Sequence, residues 1–398
     1  MPTDAAAGLA DAPESRDAGR RRSTSTGLGV VFGVGLLIRV ILMPLGHGQD
    51  FTVWDLASRA TLNGTNIYAH HPAYPAGPYG YFPLFADVEL PFRWMALHLH
   101  LSFTVLGKIP IVVGDVLTAA LIAAALRRDR APQFAAVAGT AFYFLNPLVL
   151  YDGAYYGRFD SVALALLLAA ITISPARSTG SHLCYALAVA AKTFPVFMVL
   201  GVLRAARGRR IRLLLVLAGV LVAVSLPYLR TWRNMVDDIV FYDARKSPQG
   251  LSWQTLLLGP VSSHGITLIG RALLALFALA ALMLLRVRDL RLYVLAVLIA
   301  FLFCSKIVLD QYLVWPIPLL VVTMWTTTRF LAMAGGYLAL LTSIGMVANS
   351  DIQPWGRSPA SIIITLTAAS LAMIAVIVVE DRARHRSVRP PASPAGSA

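Results

Sequence analysis

Apolar runs of about twenty residues, each long enough to cross a hydrocarbon core, recur from one end of the chain to the other. They lie at 27–46, 101–126, 132–150, 160–175, 182–203, 212–229, 265–285, 291–305, 312–327, 329–348 and 359–379. Such runs are too long for barrel strands, and in a bilayer only closed helical backbone satisfies its own polar groups. The pattern predicts an all-α, polytopic membrane protein with about ten to twelve membrane helices.

Short arginine clusters separate the runs: Arg20 to Arg22, Arg127 to Arg130, Arg204 to Arg212, Arg286 to Arg291 and Arg382 to Arg389. By the positive-inside rule they place both termini in the cytoplasm and make 47–100 and 230–264 long outer loops. Two clusters that both belong inside, at 127–130 and 204–212, are separated by three apolar runs, so one of the three is not a simple crossing. The run 182–203 is the candidate, because Lys192-Thr193-Phe194-Pro195 interrupts it and proline breaks a helical ladder. A broken or re-entrant helix there restores the count.

Composition agrees with a membrane chain. Of 398 residues 57% are hydrophobic and 14% charged, well below the usual quarter of a soluble domain. The net charge of +14 sits in the clusters that set topology and calls for no nucleic-acid partner. Both cysteines, Cys184 and Cys304, lie in apolar runs, which excludes a disulfide framework in the loops and a thiolate metal site. Residues 1–26 and 381–398 are expected as disordered cytoplasmic tails, the second basic, around a single membrane domain at 27–380.

Against this background four polar clusters stand out near predicted outer helix ends. The first is Asp50-Phe51-Thr52-Val53-Trp54-Asp55, after the first run, where the apolar spacing predicts an amphipathic surface helix. Asp50 is a functional candidate at the membrane face. Capping of that helix is its alternative, and Asp55 is expected on the solvated face. The second is Tyr151-Asp152-Gly153-Ala154-Tyr155-Tyr156-Gly157-Arg158-Phe159-Asp160-Ser161, where capping explains Asp160 but not Arg158. Lys192 is the third. The fourth runs from Lys306 through Asp310, Gln311 and Tyr312 to Trp315; Lys306 and Asp310, four apart, also suit an intrahelical ion pair. Asp115, inside a run, is the exception to the clustering at helix ends.

In order and spacing, these residues resemble the GT-C fold, the membrane glycosyltransferases that use lipid-linked sugars. More narrowly, the chain is similar to the glycosylphosphatidylinositol mannosyltransferase I catalytic subunit and related bacterial mannosyltransferases over about 47–320. Asp50 falls on the second Asp of that family's Asp-x-Asp. Gly64 and Tyr68 follow, then Tyr79, Tyr81, Pro83 and Leu84, and downstream Lys108, Asp115, Asn146-Pro147, Asp160-Ser161, Lys192 with Pro195, Phe241-Tyr242, Lys306, Gln311-Tyr312 and Trp315. Gly48 stands in place of the first Asp, and Arg158-Phe159 in place of small polar residues.

The resemblance implies a mannosyltransferase that takes its sugar from a polyprenyl phosphate at the outer face and passes it, with inversion, to a lipid or glycan acceptor. Asp50 is then the general base. Lys306, Arg158 and Arg245 are candidates for the donor phosphate, with Asp160, Gln311, Tyr81 and Tyr312 nearby, and Asp55, Lys192 and Asp115 structural or unassigned. No cofactor is called for. With Gly48 in place of the first Asp a divalent metal stays open, and so does an accessory membrane subunit. The rival reading is a transporter or flippase of lipid-linked sugars, which calls for polar residues spread through several spans.

Overall fold

The computed structural model describes residues 12–70, 75–173, 178–242, 246–258, 264–285, 289–348 and 360–387. Nearly all of this is helical. In chain order the helices are α1 (Ala12–Leu42), α2 (Gln49–Leu62), α3 (Leu84–His98), α4 (Phe103–Leu106), α5 (Ile109–Arg128), α6 (Gln133–Phe144), α7 (Pro147–Leu150), α8 (Asp160–Leu168) and α9 (Thr179–Ala191). After them come α10 (Val199–Ala205), α11 (Arg210–Ser225), α12 (Trp232–Val240), α13 (Gln254–Leu258), α14 (His264–Leu284), α15 (Leu290–Cys304), α16 (Ile317–Thr323), α17 (Thr328–Ala348) and α18 (Ala360–Ser387). α1 begins at Ala12, inside the segment expected as a tail, and runs unbroken through the first apolar stretch.

Among the described residues, six helices are long and apolar enough to cross a membrane: Thr24–Leu42, Phe103–Arg128, Arg210–Val240, Gly265–Leu284, Thr328–Ala348 and Ala360–Arg384. A seventh is the pair Gln133–Phe144 and Pro147–Tyr156, bent by 47°. Three shorter apolar helices, Asp160–Thr172, Phe194–Ala205 and Leu290–Cys304, accompany them. The protein is a multi-pass membrane protein; among the described residues only six or seven of the expected ten to twelve helices are full spans and three more are short. The reason is physical. Short or broken helices survive at membrane depth when protein rather than lipid surrounds them, and α15 is buried along most of its length.

The break expected in 182–203 is present. α9 ends at Ala191, Lys192 is extended (φ −148°, ψ 138°), and Phe194–Met198 is a 3₁₀ turn with Pro195 in its first turn, where no backbone N–H is needed. A second break falls at Leu145-Asn146, where the Asn146 side chain caps α7 by accepting from the Leu148 and Val149 amides. π-helical turns follow at Tyr151–Tyr156. Both breaks turn polar side chains inward.

α2 and α3 are the surface helices of the first loop, packed on each other. Their shared core is aromatic: Trp54 meets Phe159 edge-on at 4.7 Å, and Phe85 stacks on Phe159 at 4.1 Å. Asp55 does not lie on a solvated face. It pairs with Arg59 at 3.0 Å and with Arg93 of α3, and so ties the two helices together. The strands β1 (Gln249–Gly250) and β2 (Ile307–Val308) form one short parallel pair. Gly250 has φ +66° and a Cβ there would overlap the Val308 carbonyl, so only glycine fits.

Asp115, the sequence's exception, is accounted for by packing. Its carboxylate takes Arg39 Nε of α1 at 2.8 Å and the Tyr143 hydroxyl of α6 at 3.1 Å, both fully buried. Arg39 also donates to the Phe144 carbonyl at 2.7 Å. Three helices are thereby bolted together inside the bundle, in the paired form that intramembrane charges require.

Candidate active site

The polar clusters picked out from the sequence meet at one end of the bundle. The loop between α1 and α2 is held there by Lys108, the residue before α5. Its ammonium donates to the carbonyls of Met43 at 2.8 Å and Tyr155 at 2.6 Å, and to that of Gly46. Gly48 precedes α2 with extended backbone; its amide donates to the Tyr156 carbonyl at 2.8 Å. A Cβ on Gly48 would overlap the Tyr156 ring. A side chain at this position, including a second carboxylate two residues before Asp50, would require the Tyr156 ring to move.

Asp50 lies in the first turn of α2 but does not cap it, and capping is thereby set aside. Its Oδ2 accepts from Arg158 Nε at 3.2 Å. Arg158 Nη1 donates to Asp152 Oδ1 and to Asp310 Oδ2, each at 3.0 Å. One guanidinium thus serves three carboxylates drawn from three parts of the chain. Burial opposes its charge, but Asp310, Asp152 and Asp50 outweigh burial and hold it protonated well beyond the usual arginine range. Asp50 keeps 31% of its side chain exposed, against 4% for Asp152 and 11% for Asp310. Its Oδ1 makes no hydrogen bond among the described residues. Asp50 is therefore the member of the cluster that a substrate can reach. The pairing of Lys306 with Asp310 is not formed: β2 separates them, and Asp310 turns to Arg158 instead.

Beside this cluster lies a cavity of about 390 Å³. Its cations are Lys192, Lys306 and Arg271, and Tyr81, Tyr312 and Trp315 line it with them. The far wall is apolar, built from Leu221, Ile239, Val240, Ile266 and Leu274 of α11, α12 and α14. Lys306 donates to the Lys246 carbonyl at 2.6 Å, which fastens the 246–251 segment over it alongside the β1–β2 pair. Lys192, expected to be structural, is a cavity residue. It pairs with Asp160 at 2.5 Å while the Trp315 indole donates to the same carboxylate oxygen. Asp160 Oδ2 is buried without a hydrogen-bond partner. Asp160 begins α8 yet serves this network rather than a cap.

Tyr81 links cluster and cavity. Its hydroxyl is pushed well above the ordinary tyrosine range by burial first and then by Asp50, Tyr312, Asp160 and Tyr242, so it stays a protonated donor. Gln311 is buried, its side-chain carbonyl without a partner among the described residues, and it does not line the cavity. Arg245 lies outside the described residues. Arg271, an arginine within an apolar run, and Asp152 were not singled out from the sequence. An intramembrane cation is itself the signal that finds the first, and the density of charge in Tyr151–Ser161 is the signal for the second.

Among the described residues no group of three or more His, Cys, Asp or Glu is arranged to hold a metal ion. The place where Asp50, Asp152 and Asp310 converge is filled by the Arg158 guanidinium. With a glycine at 48 that supplies no carboxylate as well, these residues do not fit a divalent cation at Asp50.

No known family model matches the chain. Among solved structures it is similar to ArnT from Cupriavidus metallidurans, in a crystal structure bound to undecaprenyl phosphate and in another in the apo state. Identity is 13% and the TM-score 0.49 for both. The first alignment covers 92% of this chain and 81% of that one, the second 91% and 78%. Likeness at this level carries no argument about chemistry, which rests on the residues described above.

Proposed function

We propose that the protein is a membrane glycosyltransferase that moves a mannosyl residue from a polyprenyl-phosphate sugar to a lipid or glycan acceptor, inverting the anomeric centre, with Asp50 as general base. The observation that carries this reading is one cavity holding three cations and an apolar wall, set directly beside a reachable carboxylate. The cations suit a phosphate, the apolar wall suits a polyprenyl chain, and Asp50 suits an acceptor hydroxyl.

In the reaction, Asp50 takes the proton of the acceptor hydroxyl as its oxygen bonds to the anomeric carbon. The bond from that carbon to the phosphate oxygen breaks, and the phosphate leaves with the electron pair. Lys306 and Arg271 stabilise the charge that collects on it, and Lys192, held by Asp160, lines the same cavity. Lipid phosphate is already a good leaving group, so a fixed cation serves in place of a strong acid. Arg158, taken up by carboxylates, serves Asp50 rather than the phosphate. Mannose follows from the family resemblance. The arginine-rich opposite end supports a cytoplasmic placement for both termini and an outer-face site. Polar residues gathered at one end count against a transporter, since the intramembrane pair Arg39–Asp115 is closed on itself.

The test is transfer of radiolabelled sugar from polyprenyl-phosphate mannose to membrane lipids by the purified protein. Wild type is expected to transfer, and Asp50→Asn to lose about 100-fold or more of kcat at normal expression, as for a missing general base. Full turnover by Asp50→Asn would refute the assignment of the base. No transfer by folded wild type with any lipid-phosphate sugar would refute the enzyme.

A further inference from the structure

We infer that Arg158 is a resident cation of the site, a positioning residue that takes the place of a bound divalent ion and sets Asp50 for its work. The inference rests on the glycosyltransferase reading for its activity arm, and on geometry alone for its binding arm.

Three carboxylates from distant segments gather around one guanidinium, which offsets their mutual repulsion. Here the cation is covalent. Gly157 sits at φ +85°, in the left-handed region, and ends the π-helical turns. A Cβ on it would come within 2.5 Å of the Phe51 ring, so glycine is required twice over. The reversal sends Arg158 back over Tyr156, whose ring centroid lies 3.9 Å from the guanidinium carbon. The Arg158 amide donates to the Asp152 carbonyl at 3.0 Å, which fixes its backbone as well.

The spacing fits a guanidinium and not a metal. The carboxylates approach two different nitrogens, at 3.0–3.2 Å, around the edge of a plate. A divalent ion instead draws its oxygens to about 2.0–2.6 Å from a single point. Lysine cannot reproduce the arrangement, because a planar fork with several fixed donors is what reaches all three acids. With one positive charge to three acids, the cluster keeps Asp50 held by a single bond to Nε, oriented but not fully claimed.

The consequence is a reaction independent of divalent ions and dependent on a guanidinium. Purified wild type is expected to keep its transfer rate within about twofold under EDTA, whereas general base catalysis lost with Arg158→Gly is expected to cost about 100-fold. Guanidinium chloride at millimolar concentration should restore a part of that loss, and urea, its neutral isostere, should not. Thermal unfolding of Arg158→Gly supplies a readout without turnover: guanidinium should raise its melting temperature and urea should not. A shift without any wild-type transfer would leave the resident cation standing and refute the glycosyltransferase reading. Transfer by wild type, with neither rescue nor shift in a folded variant, would overturn the resident cation. So would inactivation by EDTA that magnesium or manganese reverses. Arg158→Lys covers the case in which the glycine variant does not fold. It is expected to lose kcat with donor KM little changed, and a rise in donor KM at unchanged kcat would make Arg158 a donor ligand and overturn the inference.

Discussion

Each end of the bundle holds a cluster in which arginine meets three carboxylates, and the two clusters are built differently. At the arginine-rich end Arg291 binds Asp129 and Asp289, and Arg384 binds Asp289 and Glu380. Two cations alternate with three acids, and Thr326 and Thr327 complete Glu380 at 2.9 and 3.1 Å. At the cavity end a single arginine serves all three acids and is only 7% exposed, against 21% for Arg291. The first arrangement is a latch. It joins α5, α15 and α18, and partial exposure keeps the worth of each pair low. The second does not serve stability well. Burying an arginine together with three acids gives the fold little net gain, and its sense is chemical. A latch satisfies every acid, whereas a site leaves one reachable.

Asp310→Asn breaks the comparison most directly. At the cavity end it removes one of three acids competing for Arg158, so stability should hold or rise slightly. Arg158 then shifts toward its remaining partners, the orientation of Asp50 is lost, and kcat should fall by about 10- to 100-fold. Thermal unfolding and transfer assays on the same preparation check both halves. If both stability and transfer fall together, as for a latch residue, the distinction between the two ends collapses.

The sequence was informative about one end of this comparison and partly blind at the other. Run length marked the membrane helices, and Lys192 with Pro195 marked a real break. It did not tell full spans from short helices enclosed by protein, because apolar length is the same in lipid and in a core. Asp50, Arg158, Asp160, Lys306, Gln311 and Tyr312 all stood out as polar residues near helix ends, Tyr81 entered through the resemblance, and the structure brings them together around the site. What failed was partnership. Lys306 and Asp310 sit at helical spacing, but β2 makes the segment extended and the local pairing rule no longer applies. Asp310 instead meets an arginine 152 positions away, and Asp50 meets the same one at 108. Position 48 was legible only as a missing acid; the ring of Tyr156 packed against it is a tertiary fact.

Glu89 sharpens the contrast, because it is an acid at the cavity end with no cation at all. It lies in α3, fully buried near Phe51, Phe103 and Gly107, and neither carboxylate oxygen has a hydrogen-bond partner. Burial pushes it up to about 9. In the unfolded chain it ionises near the ordinary ~4.3. A raised acid favours the fold when protonated, so the cost of Glu89 is absent below that lower value and grows as pH rises toward the upper one. Glu89→Met should therefore stabilise the protein by about 1–3 kcal/mol at pH 8 and much less at pH 4. Melting curves in detergent at the two pH values check this. A loss of stability at pH 8 would mean that Glu89 is ionised and paired, and the cavity end would hold a second latch.

The smallest effect belongs to the latch itself. Arg384 reaches Asp289 at 3.4 Å and Glu380 at 3.2 Å, is 27% exposed, and sits one turn from Glu380 on the same helix. Long, partly solvated side chains of this kind lose side-chain entropy on pairing about as much as they gain in attraction. Asp289 keeps Arg291 at 2.8 Å when Arg384 is removed, and Glu380 keeps both threonine hydroxyls. No acid is left bare. Arg384→Ala is therefore expected to cost less than about 1 kcal/mol of stability and nothing in transfer. The same truncation at Arg158 strands three acids at once. A large loss of transfer in Arg384→Ala would show that the two ends are coupled through the bundle, and the latch would then have to be counted as part of the site.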